Sequence, residues 1–257
     1  QSHDFIVLLF EQSPMDDGWE ALFSSVKYAK HFDTPICFDH VVFTPLGYET
    51  ALFKGLNSGI PCKGCPAKVL KEKKDTTGET ARLREFGEFF KHSFGISNPK
   101  ADNVIKILFV RRENYLAHPR HGGRPEIRLQ NEQEVFNEMT KWAEIRSKEH
   151  ATNLQKRIDI KIINGTLAHM RMKDQVQAVH DASIIVGVHG AGLTHILFAQ
   201  PGTVVLELLG PLFMRPHYAH ISQWMGLEYH SIIMPGTVAD SAKVLENLSN
   251  ILDKLMQ

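Results

Sequence analysis

The chain has 257 residues, of which 43% are hydrophobic and 23% charged. This composition is that of a globular protein, large enough for one large domain or two ordinary lobes. Lysine plus arginine equals aspartate plus glutamate at 29 each, so the charge gives no reason to expect a nucleic acid or an anionic membrane as a partner. No apolar run approaches the roughly 20 residues that span a bilayer. Because the chain begins with Gln1 and no signal peptide, we expect a fragment without its N-terminal anchor.

The first hundred residues alternate between short apolar runs and turns. Residues 5–10 and 36–43 have the pattern of buried strands, and residues 62–80 that of a charged, solvated loop. Apolar residues spaced by three and four predict an amphipathic helix over 80–94. A turn at Ser97-Asn98-Pro99 follows it. We therefore predict one lobe over residues 1–100 and a second over 101–257.

In the second lobe, strand and helix patterns alternate with short connections. This order predicts an α/β fold with a doubly wound parallel sheet. The predicted strands are 104–110, 158–163, 183–188, 203–209 and 229–233, and the predicted helices are 131–142, 172–182, 193–199, 217–225 and 238–256.

A glycine-rich loop, Gly187 to Gly192, follows the third of these strands. Parallel sheets bind ligands at the carboxyl ends of their strands, and glycines with free N–H groups at a helix start favour phosphate. Glu207 ends the next strand, where an acid can hold a ribose hydroxyl. The alternative is a tight turn whose glycines serve packing only. As a nucleotide site, the loop offers Gly187, His189, Gly190, Ala191, Gly192, Thr194 and His195.

Cationic side chains accompany this loop at other strand and helix ends. Guanidinium groups neutralise a diphosphate well, because they are permanently charged and form paired hydrogen bonds. The alternative for each is an ordinary surface charge. The expected diphosphate ligands are Arg111, Arg112, Lys173 and Arg215.

The residues that could bind a metal or form a disulfide give weaker signals of function than the glycine loop does. Fourteen histidines show no metal-ligand spacing, and no Asp-x-Asp follows an apolar strand. We therefore expect no metal and no cofactor. Cys62 and Cys65 stand in a loop-like C-x-x-C, which leaves open a disulfide from Cys37 to one of them or three free thiols. Two sequons permit N-glycosylation, at Asn164 and Asn247.

Residues 181–195 (DASIIVGVHGAGLTH), with Pro201-Gly202 and Leu206-Glu207-Leu208 after them, resemble the signature of family 61 glycosyltransferases. The family includes plant N-glycan core β-1,2-xylosyltransferases and animal EGF-domain O-GlcNAc transferases. Residues 110–123 (VRRENYLAHPRHGG) and 167–176 (LAHMRMKDQV) resemble the xylosyltransferase branch. The likeness is dense from about residue 105 to 230, whereas residues 63–77 match nothing in the family.

The resemblance implies a GT-B-like fold of two facing Rossmann-type lobes, with the donor bound by the C-terminal lobe and the N-terminal, acceptor-side lobe truncated here. It implies an inverting transfer of xylose from UDP-xylose, in β-1,2 linkage, to the core mannose of an N-glycan. It further implies a type II membrane protein of the Golgi lumen in full-length form. Cysteines near Cys37 and Cys62 in relatives strengthen the disulfide hypothesis.

An inverting transfer needs one general base, which should come from the acceptor side of the cleft. Asp16, Asp17 and Glu49 are the possible carboxylates, and His189 is a further possibility. Three alternatives to the xylosyltransferase remain open: a transferase for UDP-GlcNAc or another pentose, a non-catalytic nucleotide- or glycan-binding lobe, and a dinucleotide-dependent oxidoreductase. The last lacks its G-x-G-x-x-G fingerprint, because the order here is G-x-x-G-x-G.

Overall fold

A computed structural model describes residues 5–8, 17–37, 81–96, 104–112, 127–153, 158–211 and 214–256. Its centre is a five-stranded sheet in which every pair of neighbouring strands is parallel. The strands are β3 (Val104–Val110), β4 (Asp159–Gly165), β5 (Ile184–Val188), β6 (Val204–Leu209) and β7 (Glu228–Ile233). The prediction of an α/β fold with a parallel sheet is confirmed.

The strand order across this sheet is β4-β3-β5-β6-β7. The chain therefore moves from β3 outward to β4, returns past β3 to β5, and then continues in the opposite direction. This reversal makes the gap between β3 and β5 the topological switch point, where open parallel sheets bind their ligands. The glycine loop leaves β5 at this point, and the arginine pair leaves β3 there.

Helices cover both faces of the sheet. On one face, α3 (Glu132–Asn153) and α6 (Ser241–Leu255) pack on each other and on the strands. On the other face lie α2 (Ala81–Ser93), α4 (Met172–Asp181), α5 (His217–Met225) and the 3-10 helix Ala191–Phe198. Because both faces are covered, β5 and β6 are buried along their whole length. The predicted double winding is observed.

The 3-10 helix Ala191–Phe198 is the centre of the second layer. It packs against α2, α4 and α5, and its apolar residues Leu193, Ile196 and Leu197 are buried in one cluster with strands β3 and β5. The 3-10 helix can approach α2 closely because residue 87 is a glycine. A Cβ added at Gly87 would collide with the backbone carbonyl of Leu197. Helix α2, predicted within residues 1–100, thus shares its core with the sheet of the second lobe; the lobe boundary itself stays a prediction.

A second, two-stranded parallel sheet pairs β1 (Phe5–Leu8) with β2 (Ser25–Tyr28), and α1 (Asp17–Leu22) lies between them in the chain. The first strand was predicted, but α1 and β2 were not. The strand predicted over residues 36–43 is not seen in its first two residues, which have no regular structure, and the other six lie outside the described residues.

The end of α3 and the start of α6 differ from the predicted boundaries. Helix α3 continues eleven residues beyond the predicted end at Trp142, through a polar stretch without apolar periodicity. The side chain of Asp240 caps α6 by accepting from the N–H groups of Ala242 and Lys243, which starts this helix at Ser241. Among the described residues, no helix is both long and apolar enough to cross a membrane.

Candidate functional site

The register of the sheet aligns the ends of four strands. Val110 of β3 pairs with Gly187 of β5, Gly187 with Glu207 of β6, and Glu207 with Ser231 of β7. Side chains alternate between the two faces of a strand, and this row belongs to the face that carries the 3-10 helix. The loops after β3 and β5 therefore leave the sheet side by side, as the sequence predicted.

Two glycines of the loop allow close packing at this edge. A Cβ on Gly187 would lie 2.9 Å from Cδ2 of Leu193, and a Cβ on Gly192 would lie 2.9 Å from Cγ1 of Val110. The packing alternative for the glycine loop therefore explains these two positions. It does not explain Gly190, whose nearest neighbours are charged.

Two guanidinium groups converge on Gly190. A Cβ placed on it would lie 2.6 Å from Nη1 of Arg112 and 3.7 Å from Nη1 of Arg128. Nη1 of Arg128 also donates to the carbonyl oxygen of His189 at 2.5 Å. Both arginines are partly exposed, so their charge is accessible from the edge of the sheet. We call Arg112, Arg128, His189, Gly190 and Tyr218 the Gly190 cluster.

The strand alternation separates the two arginines that were predicted together. Arg111 points to the α3 face, where its Nε lies 3.3 Å from Glu132, its Nη2 donates to Gln133 at 2.9 Å and its guanidinium stands 5.3 Å from the ring of Phe136. This geometry gives Arg111 protein partners on the α3 face, and its role as a diphosphate ligand stays a prediction. Arg112 lies on the same face as Val110, opposite to the face of Arg111, and therefore reaches Gly190.

Arg128 was not predicted, because no periodic pattern marks the segment before α3. The residues that follow Arg128 in the chain hold it in place. Leu129 is buried in the core, and the N–H of Gln130 donates to the carbonyl of Thr237 at 2.7 Å. The amide of Asn131 exchanges two hydrogen bonds with the backbone of Ala239, at 2.9 and 3.0 Å. A segment anchored in this way holds its arginine beside the loop.

His189 forms a buried pair with Glu207. Its Nδ1 lies 2.5 Å from Oε1 of Glu207, and the side chains are 6% and 0% exposed, respectively. The other carboxylate oxygen accepts from the hydroxyl of Tyr229 at 2.6 Å. We expected Glu207 to hold a ribose; instead both its oxygens bind protein groups, and burial closes this carboxylate to a ligand. Tyr229 escaped sequence reasoning, although parallel pairing sets it diagonally opposite Glu207 on the same face.

Tyr218 of α5 supports the loop from the other side. Its hydroxyl donates to the carbonyl oxygen of Gly190, and its ring stands edge-on to that of His189 at 5.1 Å. Burial raises the pKa of Tyr218, and a hydrogen bond with the side chain of Thr194 opposes that effect. The hydroxyl therefore stays protonated and keeps donating at any ordinary pH. Thr194 itself is exposed at the loop surface, as is Ala191.

The other predicted histidine, His195, meets apolar surroundings. Its Nδ1 lies 3.1 Å from the carbonyl oxygen of Gly192, and its ring packs edge-on to Phe198. Burial lowers the pKa of His195, with the Gly192 carbonyl acting in the opposite direction. A third histidine, His217, stands 5.9 Å from the ring of His189. Burial lowers the pKa of His217, and the charges of His189 and Arg215 lower it further.

Three other predicted residues lie at the borders of this site. Arg215 is exposed and close enough to act on His217, so it stays a prediction as a donor ligand. Lys173 is exposed in the first turn of α4. Asp17, a predicted base, accepts from the N–H groups of Met172 and Lys173 at 3.1 and 3.4 Å. It caps α4 from a distance in sequence, and its role as the base stays a prediction.

The remaining predictions are tested only in part. Asp16, Glu49, Cys62 and Cys65 lie outside the described residues, and Cys37 is exposed, so the disulfide stays a prediction. Both sequon asparagines are placed in regular structure: Asn164 is exposed in β4, and Asn247 of α6 donates to the carbonyl of Lys243 at 2.8 Å. Across the described ranges, no three histidine, cysteine or acidic side chains are grouped to hold a metal.

Comparison with known proteins assigns the family. The profile of glycosyltransferase 61 matches residues 69–206, just over half of the chain. The match includes β3, β4, β5, the glycine loop and the first half of β6. The chain belongs to glycosyltransferase family 61. The loop, the arginines and the buried pair described above are therefore the switch-point region of a glycosyltransferase sheet.

Individual relatives are similar over nearly the whole chain. A β-1,2-xylosyltransferase of Oryza sativa subsp. japonica (RCN11) is 48% identical over 246 residues, or 94% of this chain and 44% of the relative. A β-1,2-xylosyltransferase of Arabidopsis thaliana is 46% identical over 254 residues, with 94% and 46% covered. An EGF domain-specific O-linked N-acetylglucosamine transferase of Mus musculus is 29% identical over 233 residues, with 86% and 36% covered. The chain thus spans less than half the length of these relatives.

Proposed function

We propose that this chain is the donor-binding part of an inverting glycosyltransferase that transfers xylose from UDP-xylose to an N-glycan. The observation that carries the proposal is the convergence of Arg112 and Arg128 on Gly190, at the switch point of a parallel sheet. Two partly exposed arginines bring permanent positive charge to this place, which favours a diphosphate.

The diphosphate is also the leaving group of the reaction. Negative charge grows on it as the glycosidic bond breaks, and fixed cations stabilise that charge in the transition state. The first N–H groups of the 3-10 helix Ala191–Phe198, which have no acceptor inside the helix, add partial positive charge at the same place. The carbonyl oxygens of His189 and Gly190 already accept from Arg128 and Tyr218, so they do not repel the anion.

In the proposed reaction, these cations provide the stabilisation that a divalent metal gives in other transferases. We keep metal independence as a proposal, to be checked by activity in the presence of a chelator. The base that deprotonates the acceptor hydroxyl belongs to the acceptor side of a GT-B-like cleft, where Asp16 and Glu49 stay candidates. Asp17 is engaged as a cap of α4, and His189 is engaged by Glu207.

The names of the most similar relatives support the choice of donor and linkage. At 48% and 46% identity, the two plant relatives are named β-1,2-xylosyltransferases, whereas the mouse relative, an N-acetylglucosamine transferase, is 29% identical. We therefore propose xylose over N-acetylglucosamine, with β-1,2 linkage to the core mannose. We also propose that the full-length protein is a type II membrane protein of the Golgi.

The proposal is tested by supplying the complete gene product with a defined biantennary N-glycan and one UDP-sugar at a time. Mass analysis should show addition of one pentose from UDP-xylose, at a rate well above that from UDP-GlcNAc. The variant Arg128→Ala should lose most of this transfer, while Arg146→Ala, a change of an arginine that binds Asp253 far from the loop, should keep it. Preferred use of UDP-GlcNAc, or UDP binding without transfer from any donor, would contradict the proposal.

A further inference from the structure

Behind the Gly190 cluster, three polar side chains form a short chain of hydrogen bonds from β7 through β6 to the loop. The hydroxyl of Tyr229 donates to Oε2 of Glu207, and Nδ1 of His189 lies 2.5 Å from Oε1. The carboxylate is fully buried. A buried carboxylate is costly, and an apolar side chain of similar size would fill the same space at least as well. Its presence here therefore points to a role beyond packing.

The bond to the carboxylate determines how the imidazole ring is used. A carboxylate can only accept a hydrogen bond. Nδ1 of His189 therefore carries a proton and donates a hydrogen bond to Glu207. Nε2 lies on the far side of the ring and is directed away from Glu207. The backbone of His189 is also fixed, since its N–H donates to Leu208 at 3.0 Å and its carbonyl accepts from Arg128. Both the ring and the backbone of His189 are thus held by named partners.

The charges around His189 come from several elements. Glu207 faces it from β6, with Tyr229 of β7 behind. From α5 it meets Tyr218 and His217. Arg215, Arg112 and Arg128 add positive charge at the loop. Within the part of the chain that the structure describes, the carboxylate of Glu207 is the one anion among these neighbours.

We propose that Glu207 and Tyr229 are positioning residues that hold His189 with Nδ1 protonated, so that Nε2 of the imidazolium hydrogen-bonds the donor diphosphate. The inference rests on the proposed function, because its ligand is the UDP-sugar donor. His189 then contacts the donor directly, and Glu207 acts through His189. This arrangement also explains why an acid that ends β6 is buried behind the site instead of facing a ribose.

The test combines UDP titration with NMR of the chain labelled with ¹⁵N-histidine. In the wild-type complex with UDP, both ring nitrogens of His189 should be protonated. Glu207→Leu removes the acceptor; it should abolish the signature of the Nδ1 hydrogen bond and weaken UDP binding at least about tenfold. Glu207→Gln keeps an amide oxygen in the acceptor's place and should restore the Nδ1-protonated tautomer and part of the affinity. Tyr229→Phe, the mildest change, should loosen the carboxylate and weaken UDP binding less than Glu207→Leu.

A second histidine–glutamate pair provides the matched control. Nε2 of His230 lies 2.6 Å from Oε1 of Glu228, but these side chains are 30% and 48% exposed. Glu228→Gln should leave UDP binding and the His189 signals unchanged. If wild-type protein binds UDP but Glu207→Leu and Tyr229→Phe bind it equally well, the positioning role is wrong and the donor site stands. If wild-type protein does not bind UDP, the proposed function itself is overturned, and the positioning role with it.

Discussion

His189 and His195 belong to the same short segment after β5, yet their rings meet opposite surroundings. His189 lies beside a buried carboxylate and two arginines. His195 lies against Phe198 and a backbone carbonyl, and burial lowers its pKa. The difference divides the segment into a first half, residues 189–191, that carries charge at the edge of the sheet and a second half, residues 192–198, that packs in the core.

The division shows that one sequence motif serves two physical purposes. In the first half, Gly190 makes room for guanidinium groups, and the carbonyls of His189 and Gly190 accept from Arg128 and Tyr218. In the second half, Leu193, Ile196 and Leu197 bury themselves between β5 and three helices. Changes in the first half should therefore affect donor binding, and changes around the second should affect stability.

The largest expected effect comes from removing both cations of the first half. Arg112→Ala combined with Arg128→Ala should lower kcat/KM for xylose transfer by the complete gene product about 100-fold or more, because the leaving diphosphate loses both guanidinium groups. Steady-state kinetics measure this effect. Arg146→Ala is the matched control and should retain the wild-type value. A double variant within threefold of wild type would show that the Gly190 cluster is not the donor site.

The next effect should appear in the second half. Gly87→Ala places a methyl group against the carbonyl of Leu197, and the backbone cannot yield cheaply. We expect a loss of about 1–3 kcal/mol in the free energy of unfolding, measured by denaturant titration, with unchanged UDP affinity. Gly236→Ala, where a Cβ meets nothing within 4 Å, should change stability by less than about 0.5 kcal/mol. Equal stability of the two variants would contradict the described packing of α2.

A smaller effect is expected at Gly190. Its φ of 173° is extended backbone, so alanine is not strained, and the added methyl group displaces only the mobile end of Arg112. Gly190→Ala should therefore weaken UDP binding about tenfold, or ~1.4 kcal/mol, in calorimetry. Its melting temperature should match that of wild type. A fall in stability with unchanged UDP affinity would reverse the roles that we assign to the two halves.

The smallest effect concerns pH. Because burial lowers the pKa of His195, the unfolded chain takes up a proton at this residue at a higher pH than the folded protein does. The stability contributed by the neutral ring is complete above about pH 6.5 and falls as the pH decreases toward the folded-state pKa. Replacing the ring with His195→Gln should reduce the stability lost between pH 7.5 and pH 5. Identical losses in the variant and wild type would contradict the buried, neutral state of His195.

Much of the fold could be predicted from sequence, because its signals are local. The strand over 104–110 and the helix over 217–225 match the structure residue for residue, since apolar runs and turns mark their ends. Strand β2 was missed because four residues, Ser25–Tyr28, carry too little pattern. The end of α3 was missed because the sequence of its last turns has no apolar periodicity that distinguishes it from a loop.

The site was predicted less completely, since its residues meet through tertiary contacts. The glycine loop, Arg112 and His189 were identified because each follows a recognisable strand. Arg128 and Tyr218 come from segments with no motif of their own and reach Gly190 only in the folded chain. The partners of Arg111 and Asp17 were not predicted for the same reason: Glu132 and the start of α4 are distant from them in sequence.

The central claim is that the Gly190 cluster recognises the diphosphate of a UDP-sugar. The most direct measurement is a calorimetric titration of the 257-residue chain with UDP and, separately, with uridine. The account predicts that UDP binds at least about 100-fold more tightly than uridine, and that Arg112→Ala with Arg128→Ala removes that difference. Equal affinity for UDP and uridine, or no binding of UDP, would contradict the claim.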